Sequence, residues 1–94
     1  MSYEFSLEKN EELIRERGVS FPNIIEAINN RKILLNIKHP KHELYPNQWM
    51  YIIEYKNYTY SVPYVLDGDN CFLKTIFPNR KYMYLLKEGD QDER

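Results

Sequence analysis

A chain of 94 residues, 43% hydrophobic and 29% charged, has room for one globular core and too much apolar content for wholesale disorder. Its net charge of −1 speaks against a general nucleic-acid coat protein. The single Cys71 excludes an internal disulfide, which points to a reducing, cytoplasmic setting.

The opening "SYEFS" alternates as a brief strand does. Ser6 then stands where a helix N-cap would, with Lys9 in place of the Glu that completes a capping box. "EKNEELIRER" is rich in helix formers, and Leu13 and Ile14 supply its apolar stripe. Gly18 ends that helix, being free to take positive φ. This acidic, amphipathic opening fits neither a signal peptide nor a membrane span. Ser20 starts a second helix, with Pro22 in the first turn where its missing N–H costs nothing. Phe21, Ile24, Ile25 and Ile28 recur at helical spacing, and "NNR" closes the element.

The rest reads as a sheet. "ILLNI" (33–37) is a strand and "KHPKHELYPNQ" a loop with two prolines. "WMYIIEY" and "YTYSVPYVL" are aromatic and β-branched runs split by Lys56-Asn57, a hairpin signal. "LDGDN" is the next turn, and "CFLKTIF" the last strand, closed by Pro78. Helices first and an antiparallel meander after make an α+β two-layer domain of order β-α-α-β-β-β, its sheet packed on an αα-hairpin. The domain is expected to span residues 1–87, with 88–94 as an acidic, frayed tail.

A two-residue turn at Lys56-Asn57 pairs Tyr55 with Tyr58, Ile53 with Tyr60, Tyr51 with Val62 and Trp49 with Tyr64, all on one face. The opposite face carries Met50, Ile52, Glu54, Thr59, Ser61 and Pro63. The aromatic face either packs under the helices or is partly open and stacks bases, as aromatic platforms on nucleic-acid-binding sheets do. Pro63 costs one ladder N–H, so its strand must meet an edge or a bulge there.

Charge is distributed in blocks. Residues 31–42 carry +4 and residues 74–87 carry +4, each set between stretches of −3. The first block holds Arg31, Lys32, Lys38 and Lys41 with both histidines, His39 and His42, and these six are candidates for RNA contact. Histidines three apart across Pro40 do not share a helix face, and no third ligand stands at a metal-binding spacing, so no metal is expected. In the second block, Lys74 lies in an apolar strand with Phe72 and Ile76, on the same face by strict alternation. Arg80 and Lys81 follow just past Pro78. Each of these cations has a plain alternative as a solvated edge or exit residue. Cys71, inside an apolar run, reads as a small buried residue rather than a nucleophile.

Phe5, Lys9, Asn10, Arg17, Gly18, Val19, Ser20 and Phe21 resemble the opening of BrnT-type toxins, which run aromatic–x–x–x–Lys–x into a helix ending Lys-His-Gly-Val-Ser-Phe. Ile76, Arg80 and Lys81 match the family's Ile-x-x-x-Arg-Lys, so the similarity runs from Phe5 to Lys81. The resemblance implies a RelE-like fold and the toxin of a type II toxin–antitoxin pair, an endoribonuclease that halts translation without a cofactor. It also implies a cognate antitoxin with a ribbon-helix-helix DNA-binding part, through which alone operator DNA would be met. Arg17 stands for the family's His, Gln48 for an Arg entering the central hairpin, and Tyr82-Met83 for Ala-Thr.

Such cleavage needs the 2′-OH to attack its own phosphate while negative charge grows on the phosphoryl oxygens. RelE-like enzymes use Lys, Arg and Tyr for this, which makes Lys74, Arg80, Lys81 and Tyr82 the catalytic candidates. Arg80 would clamp phosphate, Lys81 or Lys74 would act as acid or base, and Tyr82 would share proton transfer or stack on a base. A non-catalytic protein- or RNA-binding module on the same fold is the alternative.

Overall fold

The computed structural model describes residues 2–86. The expected acidic tail, 88–94, lies outside them. After a first strand β1 (Ser2–Glu4), two helices α1 (Leu7–Arg17) and α2 (Phe21–Asn29) precede the strands β2 (Ile33–Lys38), β3 (Gln48–Tyr55) and β4 (Tyr58–Asp67). The chain then adds β5 (Asn70–Leu73), a two-residue β6 (Phe77–Pro78) and a 3-10 turn, η1 (Arg80–Tyr82). The domain is α+β. Among the described residues five strand segments follow the helices, more than the order β-α-α-β-β-β holds, because the expected last strand "CFLKTIF" is divided into β5 and β6. Among the described residues no helix is long and apolar enough to cross a membrane.

Both helices begin and end where their sequences direct. The Ser6 hydroxyl accepts the Lys9 N–H at 3.1 Å, so the cap forms without its reciprocal Glu. Gly18 takes φ 68° and returns its N–H to the Ile14 carbonyl. Ser20 caps α2 through the Asn23 N–H at 3.2 Å. The unpaired Phe21 N–H is met by the Asn10 side-chain oxygen at 2.7 Å, which ties the first turn of α2 to the middle of α1. The stripe expected on α1 is narrower than its sequence suggests. Leu13 is buried, but Ile14 is 49% exposed, because only one row of this polar helix reaches the sheet.

The sheet runs β1-β5-β4-β3-β2, with β6 also on β4. It is mixed, not antiparallel throughout: β1 pairs parallel with β5, Tyr3 opposite Cys71. A parallel pair needs a long crossover, and the helices and three intervening strands supply it. The central hairpin has the expected register throughout, Tyr55↔Tyr58 to Trp49↔Tyr64. Lys56 and Asn57 both have positive φ, 53° and 61°, as a two-residue turn matching the strand twist requires.

The aromatic face packs under the helices. Tyr51, Ile53, Val62 and Tyr64 pack with Phe21, Ile24 and Leu13 of the helices, so the middle of that face is core, while Trp49, Tyr55, Tyr58 and Tyr60 are half-buried. The reason is burial energy: Phe21 and Ile24 are wholly covered, each stabilising the fold by about 1.5–3 kcal/mol. Tyr51 stacks on Tyr64 at 4.2 Å, and the Tyr64 hydroxyl donates to Asn36 at 2.7 Å.

Pro63 resolves into the bulge. Counting inward from the Tyr55–Tyr58 pair, Met50 and Pro63 form a pair that exchanges no ladder bonds, so the missing N–H faces away from β3. On that side, β5 pairs with residues 64–67 and β6 with 60–61, one residue out of register. Three residues, Lys74, Thr75 and Ile76, therefore oppose two on β4, with the Lys74 N–H on the Pro63 carbonyl at 2.8 Å. The bulge also breaks the expected alternation. Ile76 turns into the core at 0% exposure while Phe72 faces the other way at 40%, so Lys74 does not share one face with both. Arg17, the residue in place of the family's His, donates from its guanidinium to the Ile76 carbonyl and holds the bulge from the helix layer.

Burial holds the phenols of Tyr51 and Tyr64 and the Cys71 thiol above their ordinary values of 10.0 and 9.0. These groups are protonated in the fold and ionise more readily unfolded. Their contribution is complete below about pH 9 and is lost as pH rises above it, by up to about 1.4 kcal/mol per pH unit and group. Urea midpoints measured from pH 7 to 11 should fall steeply above pH 9, and Tyr51→Phe should flatten that fall; an unchanged slope would count against it.

Candidate functional site

On the other face of the sheet the described residues cover one part and leave a recess beside it. Thr59 and Ser61 are fully buried in the covered part, with Ile52. They lie under the segment that carries η1, and a single side chain fastens it. Asn79 donates from Nδ2 to the Ser61 hydroxyl at 2.9 Å, and its Oδ1 accepts the Lys81 N–H at 3.1 Å. Its backbone N–H reaches the Thr59 carbonyl at 2.9 Å, and its carbonyl accepts the Thr59 hydroxyl at 2.6 Å. Pro78 ends the ladder and Asn79 caps the turn, so Lys81 and Tyr82 follow in fixed positions.

That recess is a groove of about 710 Å3. Its floor is the row Ile37, Met50 and Pro63, cross-strand partners on β2, β3 and β4. The bulge contributes Lys74 and Thr75 along one wall, and η1 contributes Lys81 and Tyr82. The end of β2 and its following loop close the other side with Lys38 and His39. Gln48 and Asn79 are its two amides.

Both basic blocks thus meet in one recess, although Lys38 and Lys74 are 36 positions apart in the sequence. Among the described residues no carboxylate lines it, and the one ion pair is Lys9 with Glu12, far along the chain on α1. Lys81 Nζ lies 5.5 Å from the Tyr82 ring centre, and Lys38 Nζ lies 5.7 Å from that of Trp49. His39 is oriented from both sides. Its Nδ1 accepts the Lys41 N–H at 3.0 Å, which leaves Nε2 to carry the ring proton, and its ring lies 4.8 Å from that of Tyr45.

The remaining expected residues fall elsewhere. Arg80 is exposed and outside the groove lining, since the turn directs Lys81 and Tyr82 inward instead. Lys41 and His42 are exposed on the loop. Arg31 and Lys32 sit at the opposite end of β2, about 20 Å away at the rise of a six-residue strand. Lys32 lines a smaller recess with Glu26 and Glu54, whose carboxylates disfavour a phosphate. Among the described residues no three His, Cys, Asp or Glu side chains gather as a metal site would require.

Asn79 is the site residue that the sequence reading missed. An Asn directly after a strand-ending proline and before two cations is a capping signal, but its hydroxyl partners lie 18 and 20 residues away. No family model matches this sequence, and no curated protein or solved structure matches the chain.

Asn79→Ala should destabilise the fold by about 1–3 kcal/mol, because it strands the buried Ser61 hydroxyl and frees η1. In a urea double-mutant cycle, adding Ser61→Ala should cost little further; additive losses would show that the two side chains act independently.

Proposed function

We propose that this protein binds single-stranded RNA in the groove and cleaves it as a metal-independent endoribonuclease of RelE-like form, the BrnT-type toxin of a toxin–antitoxin pair. The observation that carries the reading is the meeting of Lys38, His39, Lys74, Lys81 and Tyr82 around an apolar floor with no carboxylate lining among the described residues. Three cations beside a floor that accepts a base face suit a strand whose phosphates and bases are both accessible. The helix pair preceding a meander of strands supports the RelE-like form of the fold.

In this reaction the RNA 2′-hydroxyl gives its proton to a water molecule in the open groove as its oxygen attacks the adjacent phosphorus, and the 5′-oxygen of the next nucleotide leaves with a proton from the protein. The products are a 2′,3′-cyclic phosphate and a 5′-hydroxyl. Lys74 and Lys81 stabilise the charge that grows on the phosphoryl oxygens, and their value rises as the strand excludes water. Tyr82, beside Lys81, hands a proton to the departing oxygen, and His39, which lines the β2 side of the groove, is the alternative donor for that step. Arg80 acts from outside the lining as a contact to the flanking backbone. The toxin reading carries with it a cognate antitoxin that silences the activity and reaches operator DNA through its own ribbon-helix-helix part.

One observation favours a second reading, a module that binds RNA or a protein without cutting. Among the described residues the groove presents lysines and no arginine fork, with Gln48 where the resembled family has Arg.

Producing the protein alone in growing bacterial cells and mapping RNA ends separates the two. Growth arrest with new 5′-hydroxyl ends, reduced at least about 10-fold by Lys81→Ala or Lys74→Ala and less by Arg80→Ala, fits cleavage in the groove. Arrest that persists in both lysine variants removes the groove from the mechanism. RNA bound but never cut leaves the binding module.

A further inference from the structure

Beyond the groove, the same sheet face continues as a second row. Gln48, Val65 and Phe72 are cross-strand partners on β3, β4 and β5. Their neighbours Trp49, Tyr64 and Leu73 pack toward the helices, so this row faces the open side with the groove floor. Phe72 is 40% exposed between Cys71 and Leu73, both at 0%. An aromatic ring left in water forgoes part of the roughly 1.5–3 kcal/mol its burial would give. It sits two residues before Lys74, about 7 Å along the strand, the span of a single nucleotide unit.

We propose that this row extends the groove into a platform on which Phe72 stacks one base of a single-stranded RNA while Lys74 holds the neighbouring phosphate. The proposal rests on the RNA reading of the groove. Charge supports the occupant: Lys74, its N–H on the Pro63 carbonyl, stands between the groove floor and the row, Lys81 stands on the wall beyond the floor, and among the described residues no carboxylate lines the groove. Continuity supports it too, because Gln48 belongs to both surfaces. Its side chain has no hydrogen-bond partner among the described residues, so it offers a donor and an acceptor to a base edge. Glu4, the β1 neighbour of Phe72, bounds the platform, since its carboxylate repels a phosphate beyond β5. A duplex does not fit this use of Phe72, because its base faces are already stacked inside.

The test is fluorescence anisotropy with 2′-O-methyl RNA 12-mers, which lack the attacking hydroxyl, single-stranded and as a duplex, over a range of salt. Phe72→Ala and Phe72→Leu should weaken single-strand binding about 5- to 150-fold with an unchanged salt slope. Phe72→Trp should retain it, and duplex affinity should not move. Lys81→Ala should instead lower the salt slope by about 0.7. If Lys81→Ala weakens binding and the Phe72 variants do not, the platform is wrong and the groove reading stands. If single-strand and duplex affinity fall together in the Phe72 variants, Phe72 does not stack a base. If the wild-type protein binds neither RNA, both the groove reading and the platform fail. Phe72→Leu keeps an apolar side chain at the position and guards against a simple folding defect.

Discussion

The amide hydrogen that Pro63 lacks shapes the functional half of this molecule. β4 lies inside the sheet, where every residue is asked to bond on one side or the other, and Pro63 cannot answer on the β5 side. The partner chain accommodates this with one extra residue. That residue lets Leu73 and Ile76 both turn into the core while Lys74 and Thr75 both turn out. It also shifts β6 to meet Ser61, which brings Asn79 over the buried hydroxyls. Without the bulge, a lysine and an isoleucine two apart would compete for the same side of the sheet.

The two faces of the sheet divide the work. One is covered by the αα-hairpin, which buries Tyr51 and Tyr64 at its centre. Among the described residues the other is closed by the segment around one 3-10 turn, held through Asn79. An uneven covering of this kind makes a recess with an apolar floor and a polar, cationic rim, stabilised by the covered face behind it. The lysines that repel one another across the rim are tolerated because the groove is open to water, where such repulsion is screened. A bound polyanion would relieve it.

Much of the fold was legible. The hairpin register followed from two turn residues and strand alternation, because a two-residue loop leaves no freedom in pairing. Both helix starts followed from serine caps. The side of the hairpin facing the helices was not legible, since Ile52 and Met50 make the second face nearly as apolar as the first. Pro63 announced a bulge without saying which partner would carry it, and so the alternation assumed through Lys74 failed. The groove itself was half visible as two basic blocks. Their meeting depends on β2 and the bulge flanking the same row of the sheet, a matter of topology that neither block encodes. Arg31, Lys32, Lys41 and His42 shared the charge of their block but not its position, because charge runs follow the sequence while a strand carries its two ends apart.

The parallel pairing of β1 with β5 bears on the order in which the molecule assembles. The β3–β4 hairpin closes a two-residue turn, whereas Ser2 must find Asn70 across 68 residues. The entropy of loop closure grows with that separation, so the hairpin can nucleate early while β1 docks only after the meander exists to receive it. Until then the outer edge of β5 stays unpaired, with Phe72 beside it. A chain emerging from the ribosome therefore commits its first strand last, and its opening residues wait for nearly the whole domain to be made.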